Sequence, residues 1–554
     1  MLALTTAQAP AADATPEPDY SVTLTEDLRL FLDETDDDVW VTVLVALKDA
    51  DKTEPLQLPV PDQIHYYRRT ALLAQAILIR ELLEEDPGSV IIEDQNWLSN
   101  TILMKARPPK VKKTARRKDV HKISRNGTVR LVDPALQPVT WISEPGLAWG
   151  VDAIDAEHCW AEGYDGNGVI VAHTDTGVDP DHPALAGKFA GYWFDAVNGG
   201  QEPYDDNGHG THTLGTLLGG DGTGPYPDDL GVAPGAKWIG VKVMDADGLG
   251  TYQQCLMGLE YIAMLKETVD IRVVCGSWSL AHSEEDILFS TCEKLREFGI
   301  VTVFASGNDG PDPYTADTPS NYPMVIGVGA VDAEGRVADF SARGDAPQME
   351  PWSFADTWFN PNWLFRKPDF TAPGVEIRSC VPGGGFRRLS GTSMATPHVA
   401  GTVALLLQRD PTLTPRQIYN ILLGTATPYE PNKHSTAYGW GQINAWDAVR
   451  SVAYGTAVED RPGPRDLSLS AVPYGSGQSL RFALPRSGPV DLKVYNVAGQ
   501  CVRTLVAGAS LAEGSRELIW DGRDEGGRPT TSGVYFARLT TLGRSVACKF
   551  LLVR

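Results

Sequence analysis

Short apolar runs closed by glycine turns recur through the middle of the chain. Residues 169 to 177, VIVAHTDTG, are β-branched up to Asp175 and break at Gly177. Arg272 to Gly276 and the run VTVFASGNDG at 301 to 310 repeat the pattern. Runs this short and this continuously apolar predict strands buried on both faces of a parallel sheet. Helical patterns alternate with them. DDNGHGTHTLGT at 205 to 216 starts a helix at His209 after a glycine turn. LSGTSMATPHVAGTVALLL at 389 to 407 passes from a Gly-Thr-Ser turn into a helix with Pro397 in its first turn and Val399, Ala400, Val403 and Leu406 at helical spacing. The middle of the chain therefore predicts an α/β domain.

Two blocks of different texture flank it. Residues 20 to 108 combine a β-rich run, Val39 to Leu47, a helix-like stretch from Asp62 to Glu84 and a strand pair from Val90 to Met104, the pattern of a small α+β domain. From about Asp466 to Arg554, alternating positions such as Val490, Leu492 and Val494 are broken by turn signals at Ala498-Gly499, Glu525-Gly526-Gly527 and Ser532-Gly533. That predicts an antiparallel β-sandwich.

A chain of 554 residues has room for three or four such domains, roughly. Its net charge of -23 argues against nucleic acid and anionic membrane surfaces as partners. No apolar run approaches the roughly 18 residues of a membrane span. The seven cysteines include no CxxC and no His/Cys cluster, so no metal site of that kind is expected. Cys275 and Cys380 fall on expected buried strands, while Cys501 and Cys548 are the one pair in the last block and leave a bridge open. The start, MLALTTAQAPAADA, carries small residues without a basic region, like the end of a signal peptide.

Ser393 is the candidate nucleophile. It sits at the start of a helix whose free N–H groups and dipole suit a developing oxyanion. A serine needs a base, and the base needs a group to orient it. His209 and Asp175 supply both, with Asp175 at the C-terminal end of its strand, where α/β sheets collect their ligands. The order Asp, His, Ser is one of the known permutations.

These three segments resemble the motifs of the subtilisin-like serine proteases, of the bacillopeptidase F type, over roughly residues 149 to 450. The resemblance implies a subtilisin-like doubly wound parallel sheet and a secreted or cell-surface serine endopeptidase acting on protein or peptide substrates. Ser393 would be the nucleophile, His209 the base, Asp175 its orienting carboxylate and Asn308, in the Gly-Asn turn, an oxyanion donor. His173 and His212 read as structural. Gly248-Leu249-Gly250 and Ser277-Trp278-Ser279 resemble the backbone edges that hold substrate, with Ser279 where the family has glycine. Asp317 would lie at the floor of the specificity pocket and select a basic side chain, and Trp278 offers an apolar alternative. No cofactor is implied for the chemistry. The family often carries structural calcium, yet Ala184 stands where many members have a ligating aspartate and the loop Pro225 to Leu230 departs from the usual one.

The implied organisation is a residual leader at 1–19, a propeptide domain at 20–108 acting as chaperone and inhibitor, a basic linker and processing region at 109–148, the catalytic domain at 149–455, and the sandwich at 466–554. Lys110 to Lys122, KVKKTARRKDVHK, reads as an exposed linker, and self-cleavage is expected within Lys110 to Arg125. The phrases VYNVAGQCVRTLV, WDGRDEGGRPTTSGVYFARL and KFLLVR resemble the hook-cap-like immunoglobulin domain, similar to sorting modules of the type IX secretion system, which implies secretion or cell-surface machinery as a partner. The aromatics between Phe340 and Lys367 read as packing, with a binding flap as the alternative. A lipase is disfavoured because its serine would precede its partners in the chain. A silent binding scaffold would show damage at one of these positions, and none is seen.

Overall fold

The computed structural model describes residues 23–49, 55–131, 146–224, 227–280, 284–353, 357–359, 365–429 and 434–452 of a first compact unit, Met1–Tyr454. Of the second unit, Gly455–Arg554, it describes residues 468–474, 477–484, 488–497, 499–511, 514–541 and 544–552. The leader-like start, the stretch 132–145, Pro225, Tyr226, Phe354 and Trp363 lie outside the described residues.

The first unit opens with helix α1 (Glu26–Glu34), strand β1 (Val41–Leu47), helix α2 (Val60–Glu85), β2 (Val90–Asn96), β3 (Thr101–Ala106), α3 (Pro108–Thr114), β4 (Val120–Arg125) and β5 (Thr128–Leu131). Four strands pair antiparallel in the order β2-β3-β1-β4. Helix α2 buries Ile64, Tyr67, Ala71, Gln75, Leu78 and Leu82, a single stripe at three- and four-residue spacing. Its later half, with Leu78 and Leu82, packs on the sheet residues Val43, Val45 and Met104. Its earlier half, with Ile64, Tyr67 and Ala71, joins Leu259, Phe298 and Trp278 in the main core.

The basic run is not a linker. Residues 110 to 125 are folded into α3, β4 and the turn between them, and β4 pairs with β1, so the four-stranded fold runs on to Arg125 rather than ending at residue 108. Lys110 is buried, its ammonium donating to the Leu82 carbonyl at 3.2 Å, and Lys122 pairs with Glu285 at 3.1 Å and with Asp286. Long apolar stems let lysines serve as packing residues when their heads find partners.

After α4 (Trp149–Asp152) and α5 (Ala156–Ala161) comes the α/β part. It comprises β6 (Ile170–Asp175), β7 (Phe189–Asp195), α6 (His209–Leu218), β8 (Lys237–Lys242), β9 (Leu249–Thr251), α7 (Tyr252–Leu265), β10 (Ile271–Gly276), β11 (Trp278–Ser279), α8 (Phe289–Glu297), β12 (Val301–Ala305) and β13 (Ile326–Val331). The remainder is β14 (Gly344–Asp345), β15 (Arg366–Lys367), β16 (Phe370–Pro373), β17 (Ile377–Val381), β18 (Gly385–Leu389), α9 (Thr392–Arg409), α10 (Pro415–Thr425) and α11 (Ala445–Ser451). Seven strands form one parallel sheet in the order β16-β13-β12-β10-β6-β8-β7. The order turns at β6, which lies between β8 and β10, and its carboxyl end is the switch point where such sheets bind ligands.

The aromatic insertion packs inward. Trp352 and Trp358 are buried, the Trp352 indole donates to Asn321 at 2.9 Å, and the Trp358 indole donates to the Trp352 carbonyl. In the second unit the strands pair as β19 (Ser468–Tyr474), β20 (Gly477–Leu484) and β23 (Gly514–Trp520) in one sheet. The other sheet runs β22 (Cys501–Leu511), β21 (Gly488–Asn496), β24 (Gly533–Thr541) and β25 (Arg544–Leu552), closing over Trp520, Tyr535 and Phe550. All seven cysteines are free thiols, so Cys501 and Cys548 are not bridged.

Candidate active site

Asp175 ends β6 and is wholly buried. Its Oδ1 accepts from His209 Nδ1 at 2.7 Å and from the Thr176 N–H at 2.8 Å, and its Oδ2 accepts from Thr213 Oγ at 3.1 Å. A carboxylate only accepts, so Nδ1 of His209 carries the proton and Nε2 is left as the base. Burial works to raise the Asp175 carboxyl, but the charge and hydrogen bond of His209 outweigh it and hold it below the usual range. His209 is the first residue of α6, delivered by Gly208 at a φ of 101°, where a side chain would be strained. Its Nε2 is buried without a hydrogen-bond partner among the described residues.

Ser393 lies in the first turn of α9, which packs against α6. Its hydroxyl donates to the Ser277 carbonyl at 3.1 Å and Ser277 Oγ donates to the Ser393 carbonyl at 2.9 Å, so the serine rests on Ser277 rather than on His209. Such bonds commonly align only when substrate arrives. Asn308, in the turn after β12, accepts through Oδ1 from the Thr392 N–H at 3.0 Å and the Thr392 hydroxyl at 3.1 Å. That fixes the amide plane against the start of α9, with Nδ2 on the opposite side of the carboxamide.

Gly248 leads into β9, which Leu249 and Gly250 open, and Ser277, Trp278 and Ser279 lead through β11. Between these two edges lies a strand that sequence reasoning missed. β5 pairs antiparallel with both, placing Val129 opposite Gly250, Arg130 opposite Leu249 and Ser279, and Leu131 opposite Trp278. Val129 is fully buried, while Thr128 and Arg130 face solvent. The four residues TVRL carry no strong pattern, and only the exposed edges of β9 and β11 could have suggested them.

The Trp278 side chain does not line the groove. It turns into the core, its indole donating to the Thr174 carbonyl at 3.1 Å and meeting Phe304 edge-on, so only its backbone faces the edge and it offers no apolar selection. Asp317 is 7 % exposed and accepts from Ser279 Oγ at 2.9 Å. A Cβ on Gly307 would come within 3.0 Å of its Oδ2. Rim, turn and carboxylate thus meet at one place.

His212 and His173 are both fully enclosed. Burial pushes His212 down to about 3, and its Nε2 meets the Arg387 carbonyl at 3.0 Å. The residues around Ala184 do not fit a calcium ion. Ala184 supplies no ligand, and the Lys188 ammonium donates to the carbonyls of Leu218, Gly220 and, at 2.7 Å, Pro234, placing a cation of the protein's own among those oxygens.

Comparison with known proteins agrees with this geometry. Residues 166–441 match the model of the subtilase family, and residues 472–544 match the FlgD Ig-like domain. The chain is 38% identical over 339 residues to bacillopeptidase F of Bacillus subtilis (strain 168), covering 56% of this chain and 22% of that protein. It is 37% identical to serine protease AprX of the same organism, over 51% of this chain and 66% of AprX. To subtilisin E it is 35% identical, over 55% of this chain and 71% of the subtilisin. The chain thus spans about a fifth of bacillopeptidase F and about two thirds of AprX. With the Asp175–His209 pair at the sheet's switch point and Ser393 heading the adjacent helix, the chain belongs to the subtilase family.

Proposed function

We infer that the chain is a serine endopeptidase made as an inhibited zymogen. The observation that carries this is β5, an extended peptide of the chain itself seated between β9 and β11, the latter following Ser277, on which Ser393 rests. A groove that holds one peptide strand by backbone pairing is built to hold others.

In this reading Ser393 Oγ attacks the scissile carbonyl as its proton passes to His209 Nε2. Asp175 keeps Nδ1 protonated and faces the imidazolium that forms. The Ser393 N–H and Asn308 Nδ2 hold the oxyanion. His209 then protonates the departing amine, and water, activated by the same ring, releases the acyl group. Gly248, Leu249, Gly250, Ser277, Trp278 and Ser279 bind substrate through their backbones. Asp317 selects arginine or lysine, whose charge would compensate its buried carboxylate. No cofactor takes part.

Residues 23–131 are the propeptide, and maturation cuts beyond Leu131, in 132–148, rather than within the folded stretch Lys110 to Arg125. The acidic charge, and the absence among the described residues of a helix long and apolar enough to cross a membrane, accord with a secreted or cell-surface enzyme. The second unit would dock to secretion or surface machinery.

A fluorophosphonate probe tests the chemistry. The matured protein should be labelled on one serine, and Ser393→Ala should lose both labelling and processing while keeping its circular dichroism spectrum. Persistent labelling of Ser393→Ala would name another nucleophile.

A further inference from the structure

His173 is out of place by ordinary strand logic. It sits inside a parallel sheet, flanked by β8 and β10, at a position where an apolar side chain would bury without cost. An imidazole there is tolerated only if its polar atoms are matched. Its Nε2 lies 2.8 Å from Thr213 Oγ, and Thr213 lies one helical turn beyond His209 on α6. Two residues along β6, on the same face, is Asp175, whose Oδ2 is 3.8 Å from that Nε2 and 3.1 Å from the threonine hydroxyl. Every member of this group is buried.

The threonine has one proton and three acceptors for it. These are Asp175 Oδ2 at 3.1 Å and the carbonyls of His209 and Gly210, both at 3.2 Å. The carbonyls already serve the helix, whereas Oδ2 is a charged oxygen in a dry site, where a donor is worth most. For the hydroxyl proton to go there, the contact with His173 must run the other way, with Nε2–H donating to Oγ. The opposite tautomer would draw the proton to His173 and take this donor from Oδ2.

We propose that His173 and Thr213 are positioning residues for the reaction: His173 Nε2–H donates to Thr213 Oγ, which directs the threonine proton onto Asp175 Oδ2 and fixes the carboxylate that orients His209. This rests on the peptidase reading. The chain of contacts runs His173, Thr213, Asp175, His209, adding two links behind the groups that touch substrate. The charged and titratable groups around it are Asp175 on β6 itself, His209 and, beyond it, His212 on α6, Asp205 ahead of that helix, Cys275 on β10, and Lys242 on β8 with its partner Asp206. Burial keeps His173 neutral, with Asp175 only partly opposing it, so the ring acts as a fixed donor and not as a second base.

Nitrogen-15 spectra of the histidines in the full-length chain, with Thr213→Val, Thr213→Ser, His173→Leu and the double variant, decide it. The expected His173 signal is the neutral form protonated on Nε2. Thr213→Val, close in shape, should lower kcat by about tenfold with KM within about twofold, since one hydrogen bond to a charged group is removed. It should also move the acid limb of the kcat/KM profile upward, because a carboxylate with one donor fewer holds the imidazolium more strongly. Thr213→Ser should restore both. The double variant should lose no more than about the larger single loss, the mark of one shared contact. A His173 proton on Nδ1, an unmoved acid limb, or losses that multiply would each overturn the proposal. A matured wild type that no fluorophosphonate labels would bring down the peptidase reading instead, while the imidazole spectrum would still decide this one.

Discussion

The Ser279 hydroxyl donates to Asp317 Oδ2 across 2.9 Å, tying the rim of the groove to the carboxylate beneath it. A glycine at position 279 could not make this bond. Replacing Asp317 by serine removes the charge but leaves a partner for Ser279. The ratio of kcat/KM for matched arginine and phenylalanine peptides should fall by about tenfold or more, the size of a lost charge-assisted bond. An unchanged ratio would remove Asp317 from the pocket and leave a broad preference.

Val129 anchors β5, the strand proposed above to inhibit the precursor. It is fully buried opposite Gly250, and just before it Gly127 runs so close that a Cβ there would meet the Tyr252 ring at 2.5 Å. Val129→Asp puts an unpaired carboxylate into that site at a cost of roughly 3 kcal/mol or more. We expect the precursor carrying it to release its groove and to hydrolyse a small peptide before maturation, as a stopped assay on uncleaved chain would record. N-terminal sequencing of the wild-type active form should begin within 132–149.

Lys188 holds the loop after α6 by three carbonyls. Lys188→Met keeps the stem and leaves those oxygens without a donor, a loss of about 2–4 kcal/mol. The melting temperature should drop by several degrees at least. If added calcium leaves wild type unchanged, the ammonium alone does the holding; a large calcium shift in wild type would contradict this.

Acid should destabilise the first unit. Burial lowers His212 and His434 to about 3 and His398 to about 4, against an ordinary 6.5. Their folded values lie below the unfolded ones, so unfolding takes up protons between pH 6.5 and about 4. Stability is therefore full above 6.5 and falls with pH, by about 1.4 kcal/mol per histidine per unit. Denaturant midpoints at pH 7 and pH 5 would measure it. A flat response would mean that these rings take up protons in the fold as readily as in the unfolded chain.

The groups around Ser393 were legible because each rides on a short local motif. A glycine turn beside an apolar strand or helix states where the side chain will stand. What escaped depends on partners far along the chain. Lys122 reads as solvated until Glu285 and Asp286 are seen beside it, and TVRL reads as loop until the edges of β9 and β11 enclose it. Trp278 illustrates a different failure. Its backbone does form a strand edge, yet the direction of one side chain on a two-residue strand follows from packing against Phe304, which no local pattern encodes.

The shared core between α2 and the parallel sheet has a consequence for the order of events in synthesis. The antiparallel sheet is complete once residue 125 has been made, whereas β6 must wait for β8 and for β10, the latter roughly a hundred residues further on. Long-range parallel pairing is slow to nucleate. The early domain therefore offers the later one a finished surface, with Ile64, Tyr67 and Ala71 in place. If maturation removes that surface, as proposed above, a mature molecule that unfolds has lost its template. Its durability would be a lifetime set by the unfolding barrier, not a reversible equilibrium.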